Sequence, residues 1–181
     1  MSVPAFFILG LILATGFIII NRYLHNAGWK RLMKQPFPRE WEGILQENVA
    51  LYEHLPQNLR EELHRAINVF LHEKNFEGCG GLQLTTAIKV TIAAQACLLL
   101  LKRKPPFYPK LSSILVYPGA YVAKQTSFIG DIPVQMDSAR LGESWSNGVL
   151  VLAWDYVKQE SLDIEDGHNV VLHEFAHQLD Q

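Results

Sequence analysis

The sequence predicts an α+β domain preceded by one membrane-spanning helix, and three observations carry that prediction. The opening run "VPAFFILGLILATGFIII", Val3 to Ile20, holds no charge. From residue 40 to residue 103 the apolar residues recur at helical spacing. From Ser112 onward the chain breaks into short β-branched and aromatic runs separated by Gly, Pro, Asp and Asn, and a last amphipathic stretch follows them. Helices, then strands, then a helix is an α+β order.

The opening run comes first. As a helix, its length of about 27 Å is close to the hydrocarbon thickness of a bilayer. A secretory signal would start with basic residues, and "MSVP" has none. A buried helix of this length would carry a polar stripe. Lys30, Arg31, Lys34 and Arg39 all lie on its C-terminal side. The positive-inside rule then puts the N-terminus outside and the rest in the cytoplasm. The expectation is a single-pass protein of the cytoplasmic (inner) membrane, with a transmembrane helix over 3–24, a basic juxtamembrane linker over 25–39 and a globular domain over 40–181.

Within that domain, "EWEGILQENVALYEHLP" reads as helix, and Pro56 suits a first-turn position of the next one. That helix, Gln57 to Lys74, aligns Leu59, Leu63, Ala66, Ile67, Phe70 and Leu71 on one face. The three glycines of "NFEGCGGLQL" break it. In "TTAIKVTIAAQACLLLLKR", Thr85 or Thr86 can cap the start, and Lys102 and Arg103 suit the C-terminal dipole. Its middle is apolar nearly all round, the mark of a central helix packed on several sides. "SILVYP", "AYVAKQ", "IPVQMDSARL" and "GVLVLAW" read as strands, with "GESWSNG" joining the last two as a hairpin and "DYVKQE" adding one short helical turn.

A chain of 181 residues can bury one ordinary core, and a net charge of −2 gives no electrostatic reason to expect direct nucleic-acid binding. The two cysteines, Cys79 and Cys97, form no disulfide framework and read as buried, inert thiols.

The chemistry concentrates in "GHNVVLHEFAHQLDQ", Gly167 to Gln181. Asp166 or Asn169 can cap a helix here. Val171, Leu172, Phe175, Ala176 and Leu179 fall within one arc of roughly 140°, and His173, Glu174, His177 and Asp180 take the other side. Histidines four apart lie one turn from each other, so both rings can bind one Zn2+. Glu174, beside the first ligand, can take a proton from a zinc-activated water and pass it to a leaving amine. Asp180 shares the face and could accept the outer N–H of a ligand histidine. His168 lies off that face, and His25, His54, His64 and His72 read as surface residues.

"NFEGCGGLQLTTAIKVTIAAQACLLLL", "SILVYPGAYV", "LGESWSNGVLVLAW" and "GHNVVLHEFAHQLDQ" together resemble the Mlc titration factor A family of zinc-dependent peptidases, from about Phe37 to the end. The resemblance implies a gluzincin-type, zincin-like metallopeptidase domain, related in fold to the catalytic domain of anthrax lethal factor. It also implies aminopeptidase-like cleavage of peptide substrates and association with the sugar-responsive repressor Mlc. On it, His173 and His177 are zinc ligands, Glu174 is the catalytic base, and the "GESW…VLVLAW" region edges the cleft. Two departures stand out. Family members are commonly soluble, and they take a third ligand from a glutamate on a later helix. "QLD" after the motif excludes a metzincin third histidine. The third ligand is therefore expected beyond Gln181, and the chain reads as a zincin truncated at its C-terminus and inactive alone. The competing expectation is a membrane-tethered adaptor that binds the repressor without catalysis.

Overall fold

The computed structural model describes residues 13–17, 20, 23, 27–103, 105–119, 121–129, 132–140, 142–145, 148–163 and 169–179. The chain divides into two compact units, Met1–Pro36 and Phe37–Gln181.

The first unit corrects the membrane expectation. Among the described residues, no helix is long and apolar enough to cross a membrane. The transmembrane helix over 3–24 therefore falls, and with it the single-pass localisation and the membrane as a partner. Apolar composition is necessary for a span, but a span also needs about 20 residues in one helix so that every backbone group is satisfied. The helical residues described here are 13–17, 20, 23 and 27–32, and the last group carries Lys30 and Arg31. The remainder of the expected span lies outside the described residues.

The second unit opens with α1 (Arg39–Asn48) and α2 (Ala50–Glu53), separated by the extended, buried Val49. Pro56 stands just before α3 (Gln57–Glu73) as its N-cap. The predicted stripe of α3 is buried at Leu63, Ala66, Ile67 and Phe70. After β1 (Asn75–Gly78) comes α4 (Thr86–Leu98), whose Ile88 N–H donates to the Thr85 hydroxyl at 3.3 Å. Ile88 and every residue from Val90 to Cys97 are buried. The helix packs against α1 and α3, and is the central helix its composition predicts. It ends at Leu98, short of the basic pair meant to answer its dipole. Lys102 instead adopts φ 64° and donates its backbone N–H to Glu62 at 2.5 Å.

The strands are β2 (Ser113–Tyr117), β3 (Tyr121–Ile129), β4 (Ile132–Arg140), β5 (Gly142–Trp145) and β6 (Val149–Ala153), followed by α5 (Trp154–Leu162) and α6 (Val170–Leu179). One mixed sheet runs β1-β2-β6-β5, with the first three strands parallel and β5 antiparallel to β6. β3 and β4 form a separate antiparallel pair. Three local expectations change here. "NFEG" is a strand, made by its pairing with β2 despite the glycines around it. "GESW" is itself β5, so the hairpin joins β5 to β6 and leaves β4 outside this sheet. α5 runs nine residues, well beyond one turn. Gly148 makes the β5–β6 turn with φ +82°, where a Cβ would run into the Lys110 carbonyl. Its own carbonyl accepts from the N–H groups of Ser112 at 2.9 Å and Ser113 at 3.2 Å, tying the turn to the start of β2.

Cys97 is buried, and that burial pushes its thiol pKa up, as an inert core thiol requires; Cys79 is half-buried. His64, expected at the surface, is half-buried. Its ring stacks flat on Phe37 at 3.9 Å, and its Nε2 lies 2.9 Å from the hydroxyl of the fully buried Tyr52. Burial holds the His64 pKa below its ordinary value of 6.5. The unfolded chain thus takes up this proton at a higher pH than the folded one. The contribution is fully present above about pH 6.5 and declines as pH falls toward the depressed value. Chemical denaturation between pH 7.5 and 5 should show stability falling with acid, and His64→Gln should flatten that slope. An unchanged slope would remove His64 from the account.

Candidate metal centre

Helix α6 starts at Asn169, whose side-chain oxygen accepts the Leu172 N–H at 2.8 Å while its amide reaches the Glu160 carbonyl at 3.3 Å. This is an N-cap bond to the third helical residue, and it ties the start of α6 to α5. The other predicted cap, Asp166, lies outside the described residues.

The apolar face of the helix is seated in the core. Val171 and Phe175 are fully buried, and the helix packs on β5, α4 and α5. Phe175 meets Tyr108 at 5.1 Å and Phe70 at 5.7 Å between ring centroids, in tilted and edge-on geometries that suit aromatic quadrupoles. Tyr108 is itself fixed, because its hydroxyl donates to the Ala96 carbonyl at 2.7 Å. Its carbonyl receives the buried Lys74 ammonium at 2.8 Å, and Lys74 also donates to the Leu111 carbonyl at 2.9 Å. A linked set of core groups therefore positions the residue midway between the two histidines.

On the opposite face His173 and His177 are exposed, and Glu174 is half-buried beside them. The two imidazoles cross at 84° with centroids 4.5 Å apart, and their Nε2 atoms are separated by 3.1 Å. Two nitrogen lone pairs at this distance repel unless a positive centre sits between them. A proton can serve, with one ring donating and the other accepting. A cation can serve as well: two nitrogens on one tetrahedral zinc at about 2.0–2.1 Å stand roughly 3.3 Å apart. The donor pair fits a metal by chemistry and spacing.

Asp180 and His168 lie outside the described residues. His54 contacts the Ala50 carbonyl of its own helix at 3.0 Å, His64 belongs to the Phe37–Tyr52 cluster, and His72 is exposed on α3. Among the described residues, no group of three or more His, Cys, Asp or Glu side chains is placed to hold a metal. Reading the sequence missed the support of Phe175. Phe70 was visible in its helical stripe, but Tyr108, in the proline-flanked "PPFYPK", gave no signal.

The described residues form a small α+β domain with the HExxH helix packed on an edge of the sheet, and the family match places that domain among metallopeptidase-type proteins. The profile of the Glucose-regulated metallo-peptidase M90 family matches residues 24–181, and the chain belongs to that family. It is 42% identical over 162 residues to the uncharacterized protein slr2042 of Synechocystis sp., covering 87% of this chain and 59% of that protein. It is 30% identical over 142 residues to Mlc titration factor A of Klebsiella pneumoniae, covering 77% of this chain and 52% of the relative. The Mlc titration factor A of Yersinia pestis is 27% identical over 143 residues, with 78% and 51% covered. The resemblance drawn from the motifs is borne out. The chain spans little more than half the length of these curated relatives.

Proposed function

We propose that this chain supplies the metal-gripping helix and the base of a zinc-dependent peptidase of aminopeptidase-like type. The observation that carries the reading is the 3.1 Å separation of the exposed His173 and His177 Nε2 atoms, on a helix whose other face is locked into the core. When bound, zinc would polarise the scissile carbonyl and make water a better acid. His173 and His177 would each present an Nε2 lone pair to it, which requires both ring protons on Nδ1. Glu174, adjacent to His173, would accept a proton from the attacking water and deliver it to the departing amine. Among the described residues β5, which α6 packs on, ends the sheet, and an extended peptide could add to it as a further strand.

The full-length gene product is expected to carry about one zinc per chain, and His177→Ala is expected to lose it, because one imidazole leaves a catalytic site short of a ligand. Elemental analysis of both proteins checks this. Equal metal in the two would reject the ligand assignment. A second reading, an adaptor that binds a repressor without catalysis, is favoured by the name of the Klebsiella and Yersinia relatives, Mlc titration factor A. Repressor capture by a protein that holds no metal and turns over no peptide would select it.

A further inference from the structure

A cavity lies at the far edge of the mixed sheet. Helix α6 packs on β5, one edge strand, whereas this cavity is lined by residues of β1, the other edge, together with α1, α3 and α4. Its volume is about 340 Å³, within the range of small-molecule sites. Lys89 and Lys74 both line it, and none of the lining residues is acidic. The ammonium of Lys74, nine-tenths buried, is already taken up by the Tyr108 and Leu111 carbonyls, and burial lowers its pKa, so Lys89 is the cation of this lining left for a guest. Among the described residues, no carboxylate pairs with Lys89. Thr86, the first residue of α4, lines the same space, adding the positive end of a 13-residue helix. Trp41 and Phe76 contribute aromatic walls.

Each feature asks for the same kind of guest. An ammonium group without a facing carboxylate, beside the positive end of a helix, favours an oxyanion, and a partly enclosed site strengthens the attraction over its value in water. Aromatic walls favour a flat or apolar body behind that head. The volume admits a small molecule and is too small for a folded partner.

We propose that this cavity binds a small organic anion, a phosphate ester or carboxylate with a ring or apolar body, its head on Lys89 and its body between Trp41 and Phe76. The site is independent of the metal-centre reading, and Glu174→Gln should bind the same guest unchanged.

Calorimetric titration of the full chain with phenyl phosphate, benzoate, inorganic phosphate and neutral benzyl alcohol tests it. The expected result is that a ring-bearing anion binds at least about tenfold more tightly than both inorganic phosphate and benzyl alcohol, and that Lys89→Gln weakens it about tenfold while Lys89→Arg retains most of it. Stronger binding of phenyl phosphate would identify a phosphate ester, and stronger binding of benzoate a carboxylic acid. Trp41→Ala should weaken the ring-bearing anion and leave inorganic phosphate unaffected. Benzyl alcohol binding as well as the anions, affinity unchanged in Lys89→Gln, or no binding at millimolar concentration would each overturn the proposal.

Discussion

Glu174→Gln in the full-length gene product is expected to lower peptide turnover by about 10²–10⁴-fold while leaving the metal content unchanged. The substitution keeps the shape of the side chain and removes its ability to accept a proton. Glu174 is half-buried and follows His173 directly on the helix, outside the His173–His177 Nε2 pair. If it acts as the base, what is lost is proton transfer in the transition state, so kcat should fall far more than KM rises. Chromogenic aminopeptidase substrates combined with elemental analysis read both quantities at once. Turnover equal to that of the parent would reject the base. Loss of the metal together with turnover would make Glu174 a ligand instead.

The second large effect is structural. Phe175→Ala is expected to destabilise the Phe37–Gln181 unit by about 3–5 kcal/mol, the usual cost of removing a fully buried phenyl ring. Such a loss is a sizeable part of the 5–15 kcal/mol that typically holds a domain together. Phe175 is fully buried between Phe70 and Tyr108, and Tyr108 is hydrogen-bonded to Ala96 and Lys74, so this surround has little freedom to collapse into the void. Phe175→Leu should cost clearly less, because it keeps most of the volume. Urea unfolding followed by circular dichroism gives the difference directly. A loss below about 1 kcal/mol for the alanine variant would mean that α6 is not held through this ring.

Much of this molecule could be read from the sequence, and what could not has identifiable physical causes. The α6 pattern was legible because helical spacing sets both faces together: Val171 and Phe175 turn inward and His173 and His177 outward. α3 and α4 were legible for the same reason. β1 was missed because "NFEG" has little strand propensity of its own, and its state is conferred by β2, far away in the chain. "GESW" reads as a connection because of its Gly and Ser, yet its antiparallel register with "VLVLA" makes it an edge strand. In the sequence Lys74 is only the last residue of the helix from Gln57, with nothing to mark it as buried. Only the fold brings the Tyr108 and Leu111 carbonyls to its ammonium. The membrane expectation rested on side-chain hydropathy alone, and among the described residues no helix is long and apolar enough to cross a membrane.

The position of β2 has a consequence for how the protein is made. Asn75 pairs with Ser113, and Ser113 in turn pairs with Val149, so the middle of the sheet waits for segments on both sides of it. On the ribosome, the four-stranded layer cannot close until Ala153 has emerged, whereas the β3–β4 ribbon pairs neighbouring segments and can zip up earlier. Pairings of such wide separation fold slowly, and until they form, the apolar edges of β2 lie open to wrong partners.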